Sequence, residues 1–238
     1  MGIALDFQQG VWRNAPLDVM RFDPFHAVQL IEQFQDFDTT ATTGSWVSTQ
    51  ATTGTAAVST TVPGALLLDA GATTDNQGIQ AQRTKTAIVP AANKSFWFET
   101  KATLSAATPP VTRAQLFIGL CAADTTIIAS GAISTNNRLG WLIADGGLLT
   151  SVFTADKAGT ATTTTGHTFV PATAVKLGMF FDGVADTVQP FVNGSPVGTA
   201  IPTANVPKVV IYPSLVCQSD SVDRPTLLIE GMKIIQLM

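Results

Sequence analysis

Glu32, Glu99 and Glu230 are the only glutamates in 238 residues. Two carboxylates on one face of a strand can act as nucleophile and general acid at a glycosidic bond. Glu99 sits in Phe-Glu-Thr-Lys, with no second carboxylate within two residues. Asp124, Asp145, Asp156, Asp182 and Asp186 fall in or near expected loops, but they form no dense ligand run of the kind that holds calcium. Asp145-Gly146-Gly147, Asp182-Gly183 and Asn193-Gly194 read as turns. His26 follows Asp-Pro-Phe and His167 follows a Thr/Gly run, and neither has a nucleophile or ligand beside it in sequence. Cys121 and Cys217 lie in or beside the apolar runs LFIGLCAA and YPSLVCQS and read as buried free thiols. Two cysteines and two distant histidines match no zinc spacing. Trp46, Trp97 and Trp141 could stack on a sugar ring, but a tryptophan in an apolar strand reads as core. No glycine-rich loop follows a strand and opens a helix. The expectation is therefore no catalytic residue, no cofactor, no metal site and no enzyme.

The elements that must position these residues read almost entirely as strands. Candidates are 28–37, 56–61, 64–70, 78–84, 86–89, 95–104, 114–121, 127–133, 140–144, 148–153, 168–170, 175–182, 187–192, 208–217 and 227–237. The first of them could instead begin as a short helix. Thr-rich stretches such as 38–45 and 159–166 separate several of them and are expected as loops or solvated strands. Many short strands with Gly, Pro and Asn between them argue for a sandwich or barrel.

Residues 1–26 differ from the rest. Phe7, Val11, Trp12, Leu17, Val19, Met20, Phe22 and Phe25 are apolar without a clean period of 2 or 3.6, and Pro16 and Pro24 break any helix. The segment reads as an extended arm, either strapped to its own domain or docked on a neighbouring subunit. The expected division is an arm over 1–26 and one β-sandwich domain over 27–238.

Charged residues make up 13% of the chain, against roughly 25% in a typical soluble domain. A subunit whose surface is covered by neighbours can do without that charge. Lys and Arg total 13 and are scattered singly, and the net charge is −4. No basic run is available to neutralise phosphates, which argues against nucleic acid as a partner. No run approaches the ~18 apolar residues of a membrane helix, and the first residues lack a basic segment followed by a long apolar core. Synthesis in the cytoplasm and no membrane partner are expected.

The stretch LGMFFDGVADTVQPFVNGSPVG (177–198) resembles the late strands of concanavalin A-like (laminin G-like) jelly rolls. SFWFETKATLS (95–105) looks like the long strand that opens the sandwich core in that family, and AQLFIGLCA (114–122) like the next. LLIEGMKIIQLM would return beside the first strand. The resemblance covers roughly residues 30–238 and implies an all-β, concanavalin A-like jelly-roll sandwich. The family includes glycoside hydrolases, lectins and structural modules. Hydrolases resembling laminarinases carry Glu-x-Asp-x-x-Glu on one strand, a motif missing from this chain. Legume-type lectins use Asp and Asn with calcium, and laminin G-type modules use loop carboxylates.

The arm, the low-charge Thr/Ala-rich body and the lack of a catalytic set together resemble tailed-bacteriophage virion proteins of the capsid decoration (cement) type. That likeness implies a structural protein on the capsid surface, bound to the major capsid protein and to copies of itself. Its arm anchors would be Phe7, Trp12, Phe22 and Phe25, since aromatics tend to dominate interface energetics. The alternatives are a lectin-like module holding host glycan, or a tail or baseplate subunit.

Overall fold

The computed structural model describes residues 27–237 apart from 33, 35–36, 38–44, 86, 107–110, 147 and 221–222. The arm and its anchors Phe7, Trp12, Phe22 and Phe25 lie outside the described residues, as does His26.

Two antiparallel sheets stack face to face. The back sheet has nine strands. Its path runs β15 (Ser195–Pro196), β14 (Thr187–Val192), β13 (Ala174–Asp182), β6 (Phe96–Ala106), β18 (Pro225–Leu237), β4 (Leu66–Asp69) and β3 (Thr55–Val58). Off that path, β1 (Ala27–Glu32) pairs with β18, and β16 (Ile201–Pro202) with β14. The front sheet has seven strands in the order β12 (Thr160–Thr168), β11 (Thr150–Lys157), β10 (Arg138–Ile143), β7 (Gln115–Cys121), β17 (Tyr212–Gln218), β5 (Gly78–Arg83) and β2 (Trp46–Ala51). A small hairpin joins β8 (Ile128–Ala129) to β9 (Ala132–Ile133). Helix among the described residues is confined to short 3₁₀ segments such as Thr203–Asn205.

Strand alternation builds the core. On β6, Phe96, Phe98, Ala102 and Leu104 point inward, meeting Leu177, Met179 and Phe181 of β13. From the front sheet come Leu116, Ile118 and Leu120, then Leu139, Trp141 and Phe153. Each such side chain contributes roughly 1.5–3 kcal/mol on full burial. The last strand shows how alternation survives an interruption. Leu227, Ile229, Met232 and Ile234 all face the core, although Ile229 and Met232 are three residues apart. A register shift at Glu230-Gly231 absorbs the odd residue, with Gly231 at φ 153°.

The structure decides or corrects the sequence reading at several points. Residues 159–166, expected as a loop or solvated strand, are mostly the long edge strand β12. Residues 28–37 yield only the six-residue β1, without a starting helix. Residues 86–89 contribute one isolated bridge, Ile88 to Ile211. The turn at Asp182-Gly183 spans Gly183–Asp186, and its positive φ is carried by Asp186 (55°). Gly183 is needed there for closeness, since a Cβ would sit 2.5 Å from the Lys94 nitrogen. Asn193-Gly194 does form the expected tight turn, with φ of 50° and 79°.

Candidate functional site

Four strand ends of the front sheet meet at one rim. Asp75 and Asn76 precede β5, Gln115 opens β7, Asp145 follows β10, and Asp220 follows β17. These strands lie side by side as β10-β7-β17-β5, so the sheet order assembles residues that are far apart in the chain. The carboxylates of Asp75, Asp145 and Asp220 have ligand oxygens within 4.8 Å of one another.

Backbone bonds fix the loops that carry them. The Asn76 N–H donates to the Ser219 carbonyl at 3.0 Å, and the Ser219 N–H to the Gln77 carbonyl at 2.8 Å. Asn76 takes φ 61°, a left-handed conformation that asparagine tolerates. Gly131, at the tip of the β8–β9 hairpin, abuts Asp145 so closely that a Cβ would lie 2.7 Å from its Oδ2. Asp223 anchors the approach to β7, accepting from the Thr112 N–H (2.6 Å), the Thr112 hydroxyl (2.8 Å) and the Arg113 N–H (2.8 Å).

The amide nitrogen of Gln115 faces four oxygens: Asn76 Oδ1 at 2.9 Å, Ser219 O at 3.2 Å, and Asp75 Oδ1 and Asp145 Oδ1 at 3.3 Å each. Gln115 is fully buried and Asp220 is 3% exposed. Yet Gln115 Oε1 and Asp220 Oδ2 have no hydrogen-bond partner. A buried acceptor left unpaired costs about 1–3 kcal/mol. Burial pushes the Asp220 carboxyl above its ordinary value, and the nearby charges of Asp145 and Asp75 act in the same direction. Clustered carboxylates and amide oxygens are the donor set of a hard divalent cation such as Ca²⁺. The residues present fit that group: Asp75, Asp145 and Asp220 would hold it, with Gln115 and Asn76 beside them.

A groove leads away from this rim across the outer face of the front sheet. Segment 122–137 folds over that face and is clasped by amides. Gln80 accepts from the Ile127 N–H (2.9 Å) and donates to the Asp124 carbonyl (2.5 Å). Gln82 accepts from the Asp124 N–H (2.9 Å) and donates to the Ala122 carbonyl (3.1 Å). Gln218 donates to the Ile128 carbonyl at 3.0 Å. Beneath the segment, Arg138 and Asp156 face each other across β10 and β11 and pair at 2.7 Å, both nearly inaccessible. A small apolar cluster of Phe117, Cys121, Ile127, Ile128, Leu142 and Val216 fills the rest. Between the segment and the β5–β2 edge run two adjoining cavities of about 230 and 400 Å³, which share Thr49, Gln80 and Thr125. Asn76 links the smaller one to the acidic rim.

The residues singled out from sequence are distributed otherwise. Trp46, Trp97 and Trp141 are each 1% exposed, so none offers an open stacking surface. Glu99 and Glu230 are on the back sheet; Glu230 pairs with Lys101 at 2.5 Å. His167 packs its ring on Phe169, and burial lowers its pKa. The Ser151 hydroxyl reaches only its backbone carbonyl, at 2.9 Å, which is no catalytic pair. Asp124 and Asp182 cap their own loops, and Asp186 pairs with Lys208. Cys121 and Cys217 are buried and unbridged, as expected. Of the aspartates named from sequence, only Asp145 belongs to the rim. Asp75 and Asp220 gave no spacing signal, since strand order alone brings them to it.

No family model matches the chain, and no curated protein does. Solved structures do. A seed lectin of Lotus tetragonolobus superposes with a TM-score of 0.63 at 12% identity, covering 89% of this chain and 99% of that one. Lectin I of Ulex europaeus, solved with the methyl glycoside of α-L-fucose, gives 0.62 at 11% identity, covering 89% and 98%. The carbohydrate recognition domain of Emp47p gives 0.61 at 10% identity, covering 91% and 97%. The fold is the concanavalin A-like jelly roll. At these identities the likeness reaches the jelly roll itself and stops there.

Proposed function

We propose that this chain is a carbohydrate-binding module of the lectin-like type, taking glycan at the acidic rim and along the groove beside it. The observation that carries the reading is the rim itself: three converging carboxylates, with the buried, unpartnered oxygens Asp220 Oδ2 and Gln115 Oε1 among them, at the mouth of a polar groove. A bound divalent cation would neutralise the carboxylates and offer open coordination positions to sugar hydroxyls. The chain's own contribution is positional. Gln115 and the backbone bonds of Ser219 set the carboxylates, while Thr49, Gln50, Asn76 and Thr125 line the groove with groups able to exchange hydrogen bonds with hydroxyls. The structural neighbours are named for carbohydrate binding rather than catalysis, which supports a non-enzymatic role.

A glycan array in the presence of Ca²⁺, repeated with chelator and with Asp145→Asn, tests the reading. Binding that is lost in both controls is the expected result. An array blank in Ca²⁺ overturns it. Placement on a virion, as a decoration, tail or baseplate subunit, is a second proposal, favoured by the low charge of 13%. A glycan-holding module facing outward on a capsid would satisfy both readings.

A further inference from the structure

The smaller of the two cavities beside the rim, about 230 Å³, is built from three parts of the chain: the end of β2, the β8–β9 hairpin and the end of β17. From β17 comes Gln218, which is 3% exposed. Its side chain needs a glycine on the neighbouring strand, since a Cβ at Gly78, opposite it on β5, would sit 2.7 Å from Gln218 Cγ. The Gln218 amide nitrogen donates to the Ile128 carbonyl at 3.0 Å, which fixes the end of the amide that is oxygen. That oxygen, Oε1, has no hydrogen-bond partner. Gln50 on the β2 side directs its nitrogen in the same way, to the Gly54 carbonyl at 2.6 Å. Both amides thus turn their nitrogens to the protein.

Strain gathers at the same place. Thr52 (φ 69°), Asn76 (φ 61°) and Ser130 (φ 49°) all line the cavity in left-handed backbone conformations, and for the β-branched Thr52 that conformation is a genuine outlier. Residues held in this way cluster at ligand clamps. Among the described residues, no charged and no aromatic side chain lines the cavity. Its volume falls below the roughly 300–1,000 Å³ of sites for drug-sized ligands, which suits a single ring. Ala51, Ile128 and Ala129 add a small apolar wall. A fitting occupant is therefore small and uncharged, with a C–H face and a donor for Gln218. A sugar ring with its hydroxyls has all of these. A carboxylate or sulfate on the ring would bring charge and further acceptors, for which the cavity has no counterpart.

We propose that this cavity is the primary sugar subsite: it takes one uncharged sugar residue whose hydroxyl donates to Gln218 Oε1, and it excludes sialylated, uronic and sulfated residues. This rests on the lectin-like reading above and adds which part of the glycan is read and by which group. The ring is held by hydrogen bonds and the small apolar wall, without aromatic stacking.

The test uses the full-length protein in Ca²⁺ on an array holding both neutral and acidic glycans. The terminal monosaccharide of the strongest hit is then titrated by calorimetry. Neutral terminal residues that also bind as free monosaccharides are expected. Gln218→Met should weaken that binding by about tenfold or more, because the buried acceptor is gone. Ala129→Phe should do the same by filling the cavity from an exposed position, and it decides the matter if Gln218→Met misfolds. Hits confined to acidic glycans overturn the subsite and leave the lectin-like reading standing. So do neutral sugars bound equally well by wild type and Ala129→Phe. A blank array overturns both.

Discussion

The two outer faces of the sandwich are finished in different ways. The front face is closed by the chain's own segment 122–137, fixed through glutamine amides and a buried ion pair. The back face carries an apolar patch of aromatic rings and Ile235, with charged side chains around it. Directional bonds set a surface to a fraction of an ångström. Apolar contact is non-directional and scales with area. The front face is thus held by directional polar bonds and the outer back face by apolar contact.

The largest expected effect comes from breaking the polar closure at its base. Arg138→Met leaves Asp156 buried and unpaired and should destabilise the fold by about 3–5 kcal/mol, read by urea unfolding. The double variant Arg138→Met/Asp156→Leu should recover much of that loss. A single variant as stable as wild type would mean that the front face is not held by charge.

Next is Gln82→Leu, which strands the Asp124 N–H and the Ala122 carbonyl under the segment. A loss of about 1–3 kcal/mol is expected, with faster amide exchange confined to 122–137. Uniform exchange across the front sheet would argue against a local clasp.

Asp220→Asn sharpens the contrast at the rim. The folded-state pKa of Asp220 lies above its unfolded value. The folded, metal-free protein therefore takes up the proton more readily, and this carboxyl's contribution to stability falls as pH rises through the folded pKa. The asparagine variant should lose that pH-dependent decline and melt a few degrees higher without metal near neutral pH, where about 1 kcal/mol corresponds to 2–4 °C. Ca²⁺ should raise the melting temperature of the wild type and not of the variant. Equal Ca²⁺ responses would remove Asp220 from the ligand set.

Smallest of all is Lys101→Ala on the back face. Its partner Glu230 is at 2.5 Å, but the lysine side chain is 44% exposed. Less than about 1 kcal/mol is expected, and a larger loss by thermal unfolding would show that charge matters on that face too.

How much of this was legible in the sequence depends on whether the signal is local. The long strand at 95–105 and the Asn193-Gly194 turn are local signals, and both appear in the structure as read. The sequence left β12 open between a loop and a solvated strand because an edge strand of threonines shows no apolar rhythm; its described residues are exposed or half-buried and none enters the core. The candidate rim was invisible for a different reason. Asp75, Asp145 and Asp220 meet only because β10, β7, β17 and β5 are neighbours, a fact of topology rather than spacing. Asp145-Gly146 was correctly seen as a turn, with Gly146 at φ 70°. The turn is what delivers the carboxylate to its partners.

The two cysteines carry one more consequence. Cys217 faces the main core and Cys121 the small outer cluster, on neighbouring strands but on opposite sides of the front sheet. Burial pushes the Cys121 thiol up to about 12 and raises Cys217 as well. Neither forms the thiolate that oxidants attack, and a bond between them would have to pass through the sheet. The described sandwich therefore has no redox-dependent crosslink to gain or lose between reducing and oxidising media.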